Sequence, residues 1–130
     1  CLHPRLRESI SREALRLISE LGTVDIANLS WAFATSASAN QPCLDALSSA
    51  SLPHISEFGA QDMSITAWSF AKLGVCDAPL FDSIASAAIR TMRDFGAQSL
   101  GNTAWAFAKL EVAHAPLRKA LSAAAIPKIK

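Results

Sequence analysis

The chain has 130 residues, 51% of them hydrophobic, with twelve basic and eleven acidic side chains giving a formal charge of +1. That length allows one ordinary domain, and the composition is too apolar and too weakly charged for a disordered chain. The balanced charge removes any global electrostatic argument for nucleic acid, membrane or acidic partners.

The first residue is Cys1 rather than Met, so the chain is expected to be a fragment from which any targeting peptide has gone. Residues 5–21, RLRESISREALRLISEL, space their apolar side chains as a helix does. Gly22 then opens GTVDIANLSWAFATS, a second helical stretch. The uncharged run from Ile26 to Leu44 could span a bilayer by length. Asn28, Ser30, Thr35, Asn40, Gln41 and Pro42 make it too polar to do so. From Pro42, PCLDALSSASLPHISEF is helical again, and Pro53 inside it predicts a kink or break.

Gly59 is a plausible N-cap for GAQDMSITAWSFAKL, with Asp62 in its first turn favoured by the helix dipole. A loop over 74–78 follows, and Pro79 lies in the first turn of PLFDSIASAAIRTMRDF, where it costs little. Gly96 opens GAQSLGNTAWAFAKL, with Ser99 in the slot of Asp62, and PLRKALSAAAIPKIK closes the chain from Pro116. Pro127 falls in the slot of Pro53, so the same kink is predicted there.

The segments repeat. Trp31, Trp68 and Trp105 are separated by 37 residues each, and the flanking sequence matches at the same interval. The predicted fold is therefore all-α, an α-solenoid of helical hairpins with a 37-residue repeat. It comprises a half repeat at 1–21 and repeats at 22–58, 59–95 and 96–130, one array spanning 1–130 and reading as a window of a longer protein.

Turning the first helix of each repeat by about 100° per residue separates two arcs. The near-constant arc carries Ile26, Met63 and Leu100; Ala27, Ser64 and Gly101; Ser30, Ala67 and Ala104; Phe33, Phe70 and Phe107; and Ala34, Ala71 and Ala108. Its alternation of large and very small residues suits close helix packing, and the tryptophans at its edge are expected in the core. The variable arc holds Asp25, Asn28, Ala32 and Thr35, then Asp62, Ile65, Ser69 and Lys72, then Ser99, Asn102, Ala106 and Lys109. Pattern alone leaves this stripe two readings: a solvated helix face, or a row of differing contacts along a groove, as in RNA-reading helical repeats.

The remaining chemistry-bearing residues point to bland roles. Cys1, Cys43 and Cys76 form no CxxC pair and leave an odd thiol, against a secreted disulfide scaffold. Cys43 and Cys76 fall in slots filled elsewhere by Leu80, Leu117 and Ala113, as buried thiols would. His3, His54 and His114 share no slot and no metal-ligand spacing, so surface positions and no metal are expected. Lys72 and Lys109 each follow a tryptophan by four residues, which allows a cation–π pair. Arg118, Lys119, Lys128 and Lys130 join Lys109 in a basic C-terminal group that could meet phosphates or simply be solvated. No Gly-rich phosphate loop, HExxH helix or nucleophile elbow is visible, and the slot of Asp45 and Asp82 holds Lys119 in the next copy. No enzyme activity and no cofactor are expected.

The unit GAQ(D/S)xxxxTAW(S/A)FAKL…APL…A(S/A)AI resembles the heptatricopeptide and octotricopeptide repeats of organellar RNA-binding proteins, with relatives among FAST-kinase-domain and RAP-domain proteins. The period resembles the heptatricopeptide type more closely, and the octotricopeptide PPPEW-like signature is missing. This resemblance implies single-stranded RNA as partner, with roles in organellar RNA stability, processing, translation or ribosomal-RNA assembly. It implies a mitochondrial or plastid location, and RNA contact from the first helix of each hairpin. On this chain those slots are Asn28, Ile65 and Asn102, and Thr35, Lys72 and Lys109, with Ser69 on the same stripe. The alternative is a protein-interaction scaffold, since other α-solenoids hold peptides in the same kind of groove. No RAP domain is present in these residues.

Overall fold

A computed structural model describes residues 12–13, 16–18, 20–36, 41–110 and 119–124. Every regular element among them is helical. Helix α1 spans Thr23–Thr35, α2 Gln41–Ser51, α3 Ala60–Lys72, α4 Ala78–Arg90 and α5 Ala97–Lys109. Short 3₁₀ segments, Leu52–Glu57 and Met92–Asp94, follow α2 and α4. None of the described helices is long and apolar enough to cross a membrane. Most of the half repeat, together with Cys1, His3, His114, Pro127 and the basic residues Arg118, Lys128 and Lys130, lies outside the described residues.

Helices α1, α3 and α5 are equal in length, and each begins after an extended glycine N-cap: Gly22, Gly59 and Gly96. Each of these glycines lends its carbonyl to the first helical bond, from the amides of Ile26, Met63 and Leu100 at 3.0 Å. Helix α3 ends in a Schellman motif: the Val75 amide donates to Phe70 O at 2.9 Å and the Gly74 amide to Ala71 O at 3.0 Å. Gly74 takes φ +74°, a left-handed conformation that suits glycine. Asp77 then caps α4, its carboxylate accepting the Leu80 amide at 3.1 Å, and Pro79 lies in the first turn as expected.

The proline break falls one residue early. Helix α2 gives way to 3₁₀ geometry at Leu52, directly before Pro53. The proline-free copy, α4, also passes into 3₁₀ geometry, but three residues later in the repeat and for a shorter stretch. Proline moves this break along the chain without creating it, because the missing amide shortens the α-helical part.

The helices that recur at the tryptophan interval pack side by side: α3 lies between α1 and α5 and makes its most extensive contacts with them. Burial shows which slots touch. Ala27, Ser30 and Ala34 on α1 are buried, as are Ser64, Ala67 and Ala71 on α3. The matching Gly101, Ala104 and Ala108 on α5 are exposed, against the expected constant buried arc. These slots face the following helix, and no described helix covers them on α5. Conversely, Thr66 and Ser69 on α3 and Thr103 and Ala106 on α5 are buried, whereas Ala32 on α1 is exposed; these face the preceding helix. Alanine, serine and threonine at both contacts let the backbones approach closely.

Several of the buried serine and threonine hydroxyls bond within their own helices, whereas the Thr66 hydroxyl has no partner among the described residues. Ser30 donates to Ile26 O at 2.8 Å, Ser69 to Ile65 O at 2.7 Å and Thr103 to Ser99 O at 2.8 Å. Larger residues fill the layer between each helix and its hairpin partner, among them Phe70, Phe81, Phe95, Leu44, Leu47, Leu80 and Ile84, all fully buried. Phe81 of α4 meets Phe107 of α5 edge to face, with ring centroids 5.1 Å apart.

Candidate functional site

Because α3 sits between α1 and α5 in register, like slots on the three helices line up across the molecule. The free face is defined by slots spaced four, three and four. Val24, Asn28, Trp31 and Thr35 occupy them on α1; Gln61, Ile65, Trp68 and Lys72 on α3; and Gln98, Asn102, Trp105 and Lys109 on α5.

This face differs from the expected stripe in three ways, the first being that Val24, Gln61 and Gln98 stand in place of the expected Asp25, Asp62 and Ser99. Ser69, expected among the contact residues, is buried with its hydroxyl committed to Ile65 O. Its slot is the one that meets the preceding helix, and Ala106 is buried for the same reason. The tryptophans, expected in the core, are on the surface: Trp31 is 51% exposed and Trp105 42%, with Trp68 half-buried between them. They lie one residue before the small-residue contact slot, and an indole is too large to enter a contact built for alanine and serine.

The indoles form a row. Trp68 and Trp105 lie 6.2 Å apart between ring centroids, tilted by 36°. Lys72 holds its Nζ 5.7 Å from the centre of the Trp68 ring, the cation–π geometry expected from the four-residue spacing. Asn28, Lys72 and Lys109 are exposed, while Ile65 and Asn102 are half-buried. Thr35 is exposed, but its hydroxyl donates to Trp31 O at 3.0 Å and Ala32 O at 3.2 Å. It therefore offers a ligand only its acceptor lone pairs.

Two clefts open on this face. One, of about 400 Å³, separates Gln61, Ser64 and Ile65 of α3 from Gln98, Ser99 and Asn102 of α5. The other, of about 290 Å³, lies among Trp31, Ile65, Trp68, Gln98 and Asn102. Asn102, Ile65 and Gln98 border both. The sequence pattern puts Asn102 and Ile65 on the contact stripe and misses the glutamines, which lie one turn earlier on the same face.

Elsewhere the polar chemistry is sparse. Among the described residues, the buried polar side chains are all serine or threonine, and no three His, Cys, Asp or Glu residues cluster as a metal site would. His54 is exposed and pairs through Nδ1 with the Glu57 carboxylate at 3.1 Å. Cys43 is buried, and the loss of hydration pushes its thiol pKa up from the ordinary value. Cys76, expected to be buried in the same role, is exposed, because it lies in the loop between Gly74 and the Asp77 cap. Asp45 and Asp82 are both exposed.

No curated protein matches the chain. A family model described as RNA-editing substrate-binding complex 6 protein matches residues 2–129, nearly the whole length. The surface row of aromatic, amide and cationic side chains thus stands on a helical chain that belongs to the RNA-editing substrate-binding complex 6 protein family.

Proposed function

We propose that this chain is a non-catalytic segment that binds single-stranded RNA within an RNA-editing complex, built as an α-solenoid of heptatricopeptide type. The observation that carries the reading is the four-slot face repeated in register on α1, α3 and α5, which ends in Lys72 and Lys109. Amides along the face supply donors and acceptors for base edges, while the lysines supply charge for phosphates. The family's name, an RNA-editing substrate-binding complex, agrees with RNA and protein partners and with the mitochondrial alternative among the two organelles.

The test is fluorescence anisotropy with a short random-sequence single-stranded RNA at low and moderate salt. Saturable binding that weakens with salt and survives competition by duplex DNA supports the reading. An absence of binding at low salt rejects it in favour of a protein scaffold. That second reading draws on Val24, which is 57% exposed at the end of the same face and would suit a protein partner better than a phosphate chain.

A further inference from the structure

The tryptophan row contains one closed interval and one open one. Trp68 and Trp105 contact each other at 6.2 Å between centroids. Trp31 and Trp68 instead border the cleft of about 290 Å³, whose remaining walls are Ile65, Gln98 and Asn102. Two indoles, one aliphatic side chain and two primary amides make a site with flat apolar surfaces and a hydrogen-bonding edge. Neither amide has a hydrogen-bond partner among the described residues. Each therefore keeps a carbonyl acceptor and two N–H donors for a ligand.

We propose that Trp31 and Trp68 form a stacking site for one unpaired base of RNA, with Gln98 and Asn102 hydrogen-bonding the edge of that base. The inference rests on the single-stranded RNA reading above and assigns its central contact to residues whose helical spacing suggests the core. A base matches the site on both counts, because every base has a π-face and a donor–acceptor edge. Lys72, held beside Trp68, places a positive charge next to the stacked nucleotide. Ile65 closes the cleft with an apolar wall and needs no polar partner there. Sequence preference at this site comes from the two amides, and tolerance comes from the rings.

The experiment titrates the full protein with a labelled random-sequence single-stranded RNA, and with the same RNA made abasic. Indole emission is recorded alongside anisotropy. The expected result is quenching on saturation, weaker binding of the abasic strand, and a drop of about fivefold or more in affinity for Trp31→Ala. Trp31→Phe keeps a ring and restores most of that affinity. Trp31 is half exposed, so the variant should keep the wild-type circular dichroism and urea midpoint, and the comparison is made on folded protein. Gln98→Leu with Asn102→Leu should even out the affinities for the four homopolymers. If the wild type binds RNA in a salt-dependent way, but Trp31→Ala and abasic RNA bind unchanged, the stacking site is overturned while the RNA reading stands. If the wild type does not bind at low salt, both are overturned.

Discussion

Trp68 and Trp105 are 37 residues apart in sequence, yet their rings lie 6.2 Å apart, tilted by 36°. The contact places matching slots of α3 and α5 side by side, and the small residues between the helices make that approach possible. An aromatic pair adds about 0.5–1.5 kcal/mol beyond its buried area, so the row itself helps to align the helices. The same geometry brings Gln61 and Gln98, and Ile65 and Asn102, to opposite sides of one cleft.

Lys72 and Lys109 end the shared face on α3 and α5 and are both exposed. Changing both to Ala should weaken RNA binding and flatten its dependence on salt. Each phosphate that is no longer neutralised reduces the slope of log K against log salt by about 0.7 for a single strand. Titration over a range of salt concentrations checks this, and an unchanged slope removes the lysines from the RNA-binding set.

Thr66 and Thr103 occupy the same repeat slot and are both fully buried, but only Thr103 has a partner for its hydroxyl. An unsatisfied buried hydroxyl costs more than its removal would, and Val fills nearly the same shape. Thr66→Val should therefore raise unfolding stability by about 1 kcal/mol. Thr103→Val should lower it by about 0.5–1 kcal/mol, since a made hydrogen bond disappears. Urea denaturation of the two variants should give midpoint shifts of opposite sign.

Gly74 and Gly101 have equal space for a Cβ but opposite backbone needs. Nothing lies within 4 Å of a Cβ built at either position. Gly74 has φ +74°, so Gly74→Ala should destabilise by about 1 kcal/mol through conformation alone. Gly101 lies inside α5, where Gly101→Ala should stabilise by about 0.5–1 kcal/mol. Removing the neighbouring cap with Asp77→Ala should cost about 1 kcal/mol, because the Leu80 amide then has no acceptor. Thermal melts of the three variants test the signs.

Burial raises the Cys43 thiol pKa above its ordinary value near 9.0. Below that value both folded and unfolded states carry the neutral thiol, and its contribution is fully present. As pH rises past it, the unfolded state ionises first, and stability falls until the folded-state pKa is passed. Stability should therefore decline more steeply above pH 9.0 in the wild type than in Cys43→Ala. Urea midpoints measured across neutral to alkaline pH compare the two slopes, which separates ionisation from the packing that the sulfur supplies.

Some of this was legible in the sequence, because local interactions decide it. Glycine N-caps, the first-turn Pro79, the apolar slots of Leu80 and Ile84 and the helical spacing around each tryptophan depend on neighbours within a turn or two. Tertiary structure alone decided which side of α1, α3 and α5 stayed free. Trp31, Ala32 and Phe33 follow one another on a helix, and periodicity cannot say which meets a neighbouring helix and which meets water. Contact through small residues buried Ser69 and Ala106, and by bringing the backbones close it turned Trp31 and Trp105 outward. It also left Gly101, Ala104 and Ala108 exposed where the like slots of α1 and α3 are covered. A helix wheel ranks residues by direction around one axis. Burial depends on the distance to the next axis, which is set by side chains on both helices at once.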